Sequence, residues 1–171
     1  MHVMIDLETM GVTTNAVIIS IGAVGFDKDG IQSEFYRPVS IESCMEIGLQ
    51  CDASTIMWWM GQSDEARGAF TDGINIRHAL MDLRDWMAGF KIDGVWGNGV
   101  DFDNMILGNA YEKANQEKPW SYGKNRCYRT VKNLFKNVKM ERSGTHHNAL
   151  DDAKSQAEHL IRIMKVNAVS Y

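Results

Sequence analysis

The first part of the chain shows the apolar–polar alternation and the short apolar runs that are typical of β-strands. Three strands are predicted in succession, over residues 2–8, 16–26 and 31–38. Turn-forming residues at 27–30 separate the last two, so we expect an antiparallel meander. The pattern then changes to short helices and loops, for which Asp52 and Ser63 are suitable helix starts.

The second part of the chain alternates between helical patterns and short apolar segments. Helices are predicted over residues 76–90 and 106–114, from about residue 131, and along an apolar stripe from 153 to 168. Short strands are expected at residues 95–96 and 126–129. A meander followed by strand–helix alternation predicts an α/β fold with a mixed sheet and helices against its faces. The length of 171 residues fits a single domain over residues 1–171.

Two carboxylates lie side by side at the end of the first predicted strand. The alternation puts Asp6 and Glu8 on one face of this strand, and Ile5 and Leu7 on the other. Burying both acids costs free energy because the two charges repel each other and lose their hydration. A divalent cation offsets both costs, so the pair predicts a metal-dependent site. The strand that carries it is expected to lie centrally in the sheet.

Composition and charge narrow the class of protein. Three cysteines without CxxC spacing argue against a disulfide framework or a zinc ribbon and favour a reducing, cytoplasmic location. No secretory signal or membrane-spanning segment is expected. The net charge of −4 disfavours a nucleic-acid partner, but seven of the eighteen basic residues lie between Lys124 and Arg142. This segment fits a solvated helix face and a phosphate-binding surface equally well.

Further candidate groups lie at the starts of two later helices. Asp103 begins the helix that follows the strand at 95–96, and Asp152 falls in the first turns of the C-terminal helix. His147 lies on the loop just before that helix, five residues ahead of Asp152. A carboxylate on a helix and an imidazole on a loop suit a metal ligand and a proton-transfer group. Each acid alone also fits a simple helix-terminus role.

The ordered motifs resemble a known family: Asp6-x-Glu8, Phe102-Asp103 and His147-x4-Asp152 are similar to those of the DEDDh branch of the DnaQ-like 3′–5′ exonucleases. The chain also resembles a subgroup of this family, the small bacterial and phage exoribonucleases and exonuclease A-like proteins. The motifs that carry this resemblance are Trp58-Trp59-x2-Gln62-Ser63-x2-Ala66-Arg67 and Gly97-Asn98-Gly99. The resemblance implies an RNase H-like fold, with a five-stranded mixed sheet flanked by helices. It also implies release of nucleoside 5′-monophosphates with two Mg²⁺ or Mn²⁺ ions.

The resemblance implies roles for the matching residues as well. The metal ligands would be Asp6, Glu8, Asp103 and Asp152. His147 would be the general base that takes a proton from the attacking water. Contacts with the terminal nucleotide are expected from Thr9, Met10, Trp58, Trp59 and Arg67. Both tryptophans also fit core packing, and Arg67 also fits a helix cap.

The chain departs from the family pattern at two places. The segment 97–103 is one residue longer than in many relatives and lacks their leading histidine, so Asp101 rivals Asp103 as the ligand. We favour Asp103 because it directly follows Phe102. The doublet of His146 and His147 raises a similar choice, which the five-residue offset to the last acid decides in favour of His147.

The expected function is therefore a metal-dependent 3′–5′ exonuclease that acts on single-stranded RNA or DNA ends, with RNA favoured by the subgroup. The alternative is a non-catalytic nucleic-acid-binding or phage interaction protein that keeps a nuclease fold. An aspartate-nucleophile phosphatase fits less well, because it would need a second aspartate where Glu8 stands. A membrane partner is not expected, and relatives are often homodimers.

Overall fold

The structure, a computed structural model, describes residues 1–68, 70, 73–142, 144–145 and 147–169, so His146 lies outside the described residues. The strands are β1 (His2–Thr9), β2 (Ile18–Phe26), β3 (Ile31–Pro38), β4 (Gly94–Gly97) and β5 (Asn125–Cys127). They form one sheet in the order β3-β2-β1-β4-β5. β1 pairs antiparallel with β2 and parallel with β4, which confirms the predicted five-stranded mixed sheet and the central position of its first strand.

Seven α-helices surround this sheet within the described residues. They are α1 (Ile41–Glu46), α2 (Ala53–Met60), α3 (Asp64–Arg67), α4 (Ile76–Ala88), α5 (Met105–Lys113), α6 (Tyr128–Leu134) and α7 (Ala149–Asn167). A π-helical turn (Val100–Asn104) leads into α5, and a 3₁₀ turn (Tyr122–Lys124) precedes β5. In the part of the chain that the structure describes, each helix is too short or too polar to cross a membrane.

The apolar core lies on both faces of the sheet. On one face, Ile5 and Leu7 of β1 pack in a cluster with Leu80 of α4 and Ile106 of α5. On the opposite face, Met4 packs in a cluster with the apolar stripe of α7. Asp6 and Glu8 share the face of Met4, because side chains two residues apart in a strand point the same way. The predicted alternation therefore directs both acids towards α7.

Gly22 of β2 allows α7 to begin close to the sheet. It pairs with Asp6 across the β1–β2 ladder. A Cβ atom at position 22 would lie only 2.1 Å from the carbonyl carbon of Ala149, so only glycine fits without a shift. The Asn148 side chain caps the helix by accepting hydrogen bonds from the N–H groups of Leu150 and Asp151. The first turns of α7 are thereby fixed beside the acids of β1.

Some predicted boundaries differ from the observed ones. β2 begins at Ile18 rather than at residue 16, because the Val17 N–H donates to the carbonyl of Gln50 instead of extending the ladder. β5 covers three residues because β4 is short and pairs with it only from Val95 to Gly97. α6 therefore starts at Tyr128, three residues earlier than expected.

Gly22→Ala is expected to destabilise the fold by about 2 kcal/mol, because the added methyl group would overlap the backbone of Ala149. Urea denaturation followed by circular dichroism measures the change. The matched control is Gly108→Ala in α5, where a methyl group would meet no atom within 4 Å and helix propensity favours alanine. Equal stability of Gly22→Ala and the unmodified protein would contradict the close contact of α7 with β2.

Candidate active site

Four carboxylates from three parts of the chain converge at the end of β1. Asp6 and Glu8 come from β1 itself, Asp103 from the π-helical turn and Asp152 from the first turns of α7. The N–H of Leu7 donates to Oδ1 of Asp103 at 3.2 Å, which ties the turn directly to β1. Except for the partly exposed Asp6, these acids are buried.

Asp103 and Asp101, the two candidate ligands of this segment, differ in burial and in hydrogen bonding. Asp103 is 2% exposed, and its Oδ2 accepts a second hydrogen bond from the N–H of Asn98 at 2.8 Å. Asp101 is exposed to solvent instead. The longer segment coincides with the π-helical turn, in which each backbone hydrogen bond spans one residue more than in an α-helix. Gly99 adopts a φ of +121°, a conformation that favours glycine, at the start of the same turn.

Gln156 contacts Asp6, a relation that sequence reasoning missed. Its Nε2 donates to Oδ1 of Asp6 at 2.6 Å, and its side chain is 3% exposed. Gln156 lies four residues after Asp152, so both side chains point from the same face of α7. That spacing was the only available signal, and it also fits an ordinary core position.

Arg142 is a second contact that was missed. Its guanidinium forms an ion pair with Oδ1 of Asp152. Oδ2 of the same carboxylate accepts a hydrogen bond from the N–H of His147 at 3.1 Å. Asp152 therefore has partners on both oxygens, and one of them is a full positive charge. The sequence placed Arg142 only in a general basic segment.

His147 lies beside the acids on a constrained backbone. Its φ of +64° is unusual for a residue with a side chain, although histidine adopts it more readily than most. The ring packs edge-on against Trp58, with the centroids 4.9 Å apart. Ligand atoms of Glu8, His147 and Asp152 all lie within 4.8 Å of one another. The imidazole is thus close enough to serve as a ligand or as a proton acceptor at this site.

The electrostatics of the cluster favour protonation when no cation is bound. Burial raises the pKa of Asp6 well above its ordinary value, and the charges of Asp103 and Glu8 raise it further. Burial, with Asp152 and Asp103, raises the pKa of Glu8 to about 8. Burial also raises the pKa of Asp103 to about 7, although the N–H groups of Asn98 and Leu7 lower it.

These carboxylates fit a divalent metal ion by their chemistry. Carboxylate oxygens are the preferred ligands of Mg²⁺ and Mn²⁺, and a bound cation would replace the protons that repulsion favours. Asp6, Glu8 and Asp103 have no cationic side chain within ion-pair distance among the described residues. The Arg142 contact balances only Asp152. The donor set therefore suits an additional positive charge at its centre.

A cleft of about 370 Å³ opens beside Glu8 and Thr9. Trp58 and Trp59 both line it, but Trp58 is 45% exposed, whereas Trp59 is 3% exposed and packs against Ile19. The indole N–H of Trp59 donates to the carbonyl of Thr9 at 2.9 Å, so this ring also fixes the end of β1. Trp59 therefore belongs mainly to the core, and Trp58 presents the more exposed ring to the cleft.

Met10 and Arg67, which were expected to contact the substrate, have partners within the protein. The backbone N–H of Met10 donates to Val17 and its carbonyl accepts from Asp52, so both groups serve the fold. The guanidinium of Arg67 pairs with Asp64 and donates to the carbonyl of Met60. Arg67 is absent from the lining of the cleft, as far as the described residues form it.

The sheet order and the converging acids agree with the exonuclease fold that the sequence motifs predict. The family model of the Rv2179c-like 3′-5′ exoribonuclease domain matches residues 1–164. The chain belongs to this family and is a 3′–5′ exonuclease. DEDDh nucleases use divalent metals, and the acidic cluster is the candidate site for them.

Solved structures share the fold at low sequence identity. The nuclease domain of 3'hExo, a DEDDh family member, bound to rAMP, is 18% identical with a TM-score of 0.68, and the similarity covers 96% of this chain and 91% of that one. Exonuclease X in complex with 5' overhanging duplex DNA is 17% identical with a TM-score of 0.62, covering 99% of this chain and 95% of that one. No curated protein is significantly similar in sequence.

In the presence of a chelator, the stability of the protein is expected to fall as the pH rises from about 5 to about 8. The folded state raises the pKa of Glu8 to about 8, so it keeps a proton that the unfolded chain releases at lower pH. The contribution of Glu8 to the free energy of unfolding is therefore fully present below the ordinary pKa of a glutamate and is lost as the pH rises towards 8. The loss should reach about 2–4 kcal/mol, since a tenfold change in proton affinity corresponds to about 1.4 kcal/mol.

Thermal denaturation across this pH range measures the effect, with Glu8→Gln as the matched variant that cannot titrate. Mn²⁺ should raise the melting temperature more at the upper end of the range than at the lower end, because it binds deprotonated carboxylates. The expectation is contradicted if the unmodified protein shows no steeper pH dependence than Glu8→Gln.

Proposed function

We propose that this exonuclease removes nucleoside 5′-monophosphates from the 3′ ends of single strands, RNA in preference to DNA. The observation that carries the proposal is the convergence of Asp6, Glu8, Asp103 and Asp152 at the end of β1. The description of its family as an exoribonuclease domain supports RNA. Support for strand ends comes from the relatives, one bound to rAMP and another to an overhanging duplex.

Two metal ions, Mg²⁺ or Mn²⁺, would be held by the four acids. When bound, such ions would activate the attacking water and stabilise the leaving 3′ oxygen. Gln156 orients Asp6 through its hydrogen bond, and the N–H groups of Leu7 and Asn98 orient Asp103. The residues of the chain thus hold their carboxylates in fixed directions before a substrate arrives, which lowers the cost of reorganisation.

His147 is proposed as the general base. One of its ring nitrogens would accept the proton of the attacking water, because histidine is the side chain that most often transfers protons in catalysis. The packing of its ring against Trp58 limits how far it can turn. The hydrogen bond from its N–H to Asp152 keeps its backbone close to the acids.

The cleft beside Glu8 is proposed to receive the terminal nucleoside. Its wall of Leu7, Trp58 and Phe102 offers apolar and aromatic surface on which a base can stack. Because stacking accepts any base, the enzyme is expected to remove nucleotides with little sequence preference. Thr9 lies at the same wall, near the position that the sugar would take.

Asp6→Asn is expected to lower the rate of nucleotide release at least about 100-fold, because it removes a charged group from the reacting centre. The substrate is a 5′-labelled 12-residue single strand, made as RNA and as DNA, incubated with Mg²⁺ or Mn²⁺ and resolved on a gel. Stepwise shortening with release of 5′-monophosphates is the expected product pattern, faster on RNA. The control is Asp29→Asn in the turn at 27–30, at the opposite end of β1 from the acids.

Several results would overturn the proposed function. Internal or 5′-end cleavage would contradict the polarity, and equal or greater rates on DNA would contradict the RNA preference. Absence of release from both substrates, with and without metal, would leave a binding protein with a nuclease fold.

A second experiment compares the two acids of the π-helical turn. Asp103→Asn is expected to abolish most of the activity, because this carboxyl is buried beside β1. Asp101→Asn is expected to keep at least about half of it, because this side chain is exposed. Initial rates on the RNA 12-mer, with circular dichroism to check folding, measure both. The reverse order of the two effects would assign the ligand role to Asp101.

A further inference from the structure

Three cationic side chains lie along one side of the acids and form a surface that we call the basic ridge: Arg129, Lys132 and Arg142. The guanidinium of Arg129 donates to the carbonyl of Asn98, and Nζ of Lys132 donates to the side-chain oxygen of the same residue at 3.3 Å. Both α6 side chains therefore converge on Asn98, whose N–H holds Asp103. Arg142 belongs to the ridge through its ion pair with Asp152.

The charges of the ridge are only partly balanced. Within the described residues, Arg129 and Lys132 donate to Asn98 but form no ion pair with a carboxylate. Glu141, the acid within this basic segment, pairs with Arg162 instead, at 3.4 Å. Burial lowers the pKa of Lys132, and the charges of Arg129 and Arg142 lower it further. Like charges held this close favour the binding of an anion.

The position of the ridge relative to the clefts indicates which anion fits. A smaller cleft of about 170 Å³ is lined by Asp6, Leu7, Asn98, Phe102, Asp103 and Arg129. It shares Leu7 and Phe102 with the larger cleft beside Glu8, so the two clefts are neighbours. If the terminal nucleoside occupies the larger cleft, the rest of the strand can continue past the acids towards Arg129.

We propose that the basic ridge binds backbone phosphates of the strand on the 5′ side of the scissile bond. This proposal rests on the proposed function, because it assumes that the terminal nucleoside lies in the larger cleft. The recognition is by charge and not by base identity, which matches an enzyme that must advance along any sequence. The ridge thereby supplies affinity for a chain of nucleotides beyond the one that is released.

A surface of this kind has a measurable signature. Each phosphate contact with a single strand releases bound counterions, so the logarithm of the affinity falls with the logarithm of salt concentration by about 0.7 per contact. Removing two cations of the ridge should therefore reduce this slope by about 1.4. A residue that only supports the fold would leave the slope unchanged.

The test uses the double variant Arg129→Gln/Lys132→Gln, in which each glutamine keeps an N–H donor for Asn98. Binding of a fluorescein-labelled 12-residue single-stranded RNA is followed by anisotropy in Ca²⁺, with a gel to check that the RNA stays intact. The affinity at low salt is expected to fall about tenfold, together with the slope. Lys28→Gln, at the far end of β1, is the control that removes a positive charge away from the acids, and it should match the unmodified protein.

A second measurement separates phosphate binding from support of Asp103 through Asn98. The 4-nitrophenyl ester of thymidine 5′-monophosphate has no phosphate on the 5′ side of the scissile bond. The ratio of kcat/KM for the RNA 12-mer to kcat/KM for this ester should fall about tenfold in the double variant. The single variant Arg129→Lys keeps the charge at position 129 and retains Lys132. Its ratio should be close to that of the unmodified protein.

Two results would overturn the proposed role of the basic ridge. One is a salt slope of the double variant equal to that of Lys28→Gln, and the other is an equal loss of kcat/KM on the 12-mer and on the ester. Both are distinct from failure of the proposed function, which would appear as absence of nucleotide release by the unmodified protein.

Discussion

Burial of several carboxylates at one end of a central strand is the constraint on which the rest of this structure depends. Mutual repulsion and lost hydration oppose the arrangement, and the pKa values of Asp6, Glu8 and Asp103 all rise as a result. The apolar residues on both faces of β1 supply the opposing free energy. Backbone N–H groups and the amide of Gln156 then fix the direction of each charge.

The charge of the whole molecule gives a misleading picture of its partner. The net charge of −4 argues against a nucleic acid, yet four of the acids lie together where a bound cation would offset them, and Asp152 already pairs with Arg142. Positive charge gathers instead on the adjacent side, where Arg129 and Lys132 meet at Asn98. An acidic centre beside a basic surface can hold metal ions and a polyanion at once, which a uniformly charged face could not do.

Much of the fold followed from the sequence, because β1 and α7 have unambiguous periodicities. The same periodicity put Asp6 and Glu8 on one face, and the chain order of the acids indicated the family. Gln156 and Arg142 could not be found this way, since their roles depend on which atoms meet across 150 and 10 residues of chain, respectively. The π-helical turn was also unforeseen, because an extra residue in a segment does not reveal where the backbone will absorb it.

α7 is synthesised after every strand of the sheet. β1 leaves the ribosome first with Asp6 and Glu8, whereas Asp152 and Gln156 emerge last among the groups of the site. A nascent chain with a finished sheet therefore carries an incomplete acid set. Only when α7 docks over Gly22 does the set close, so the site is assembled by the last helix of the chain and not by the strand that carries its first two acids.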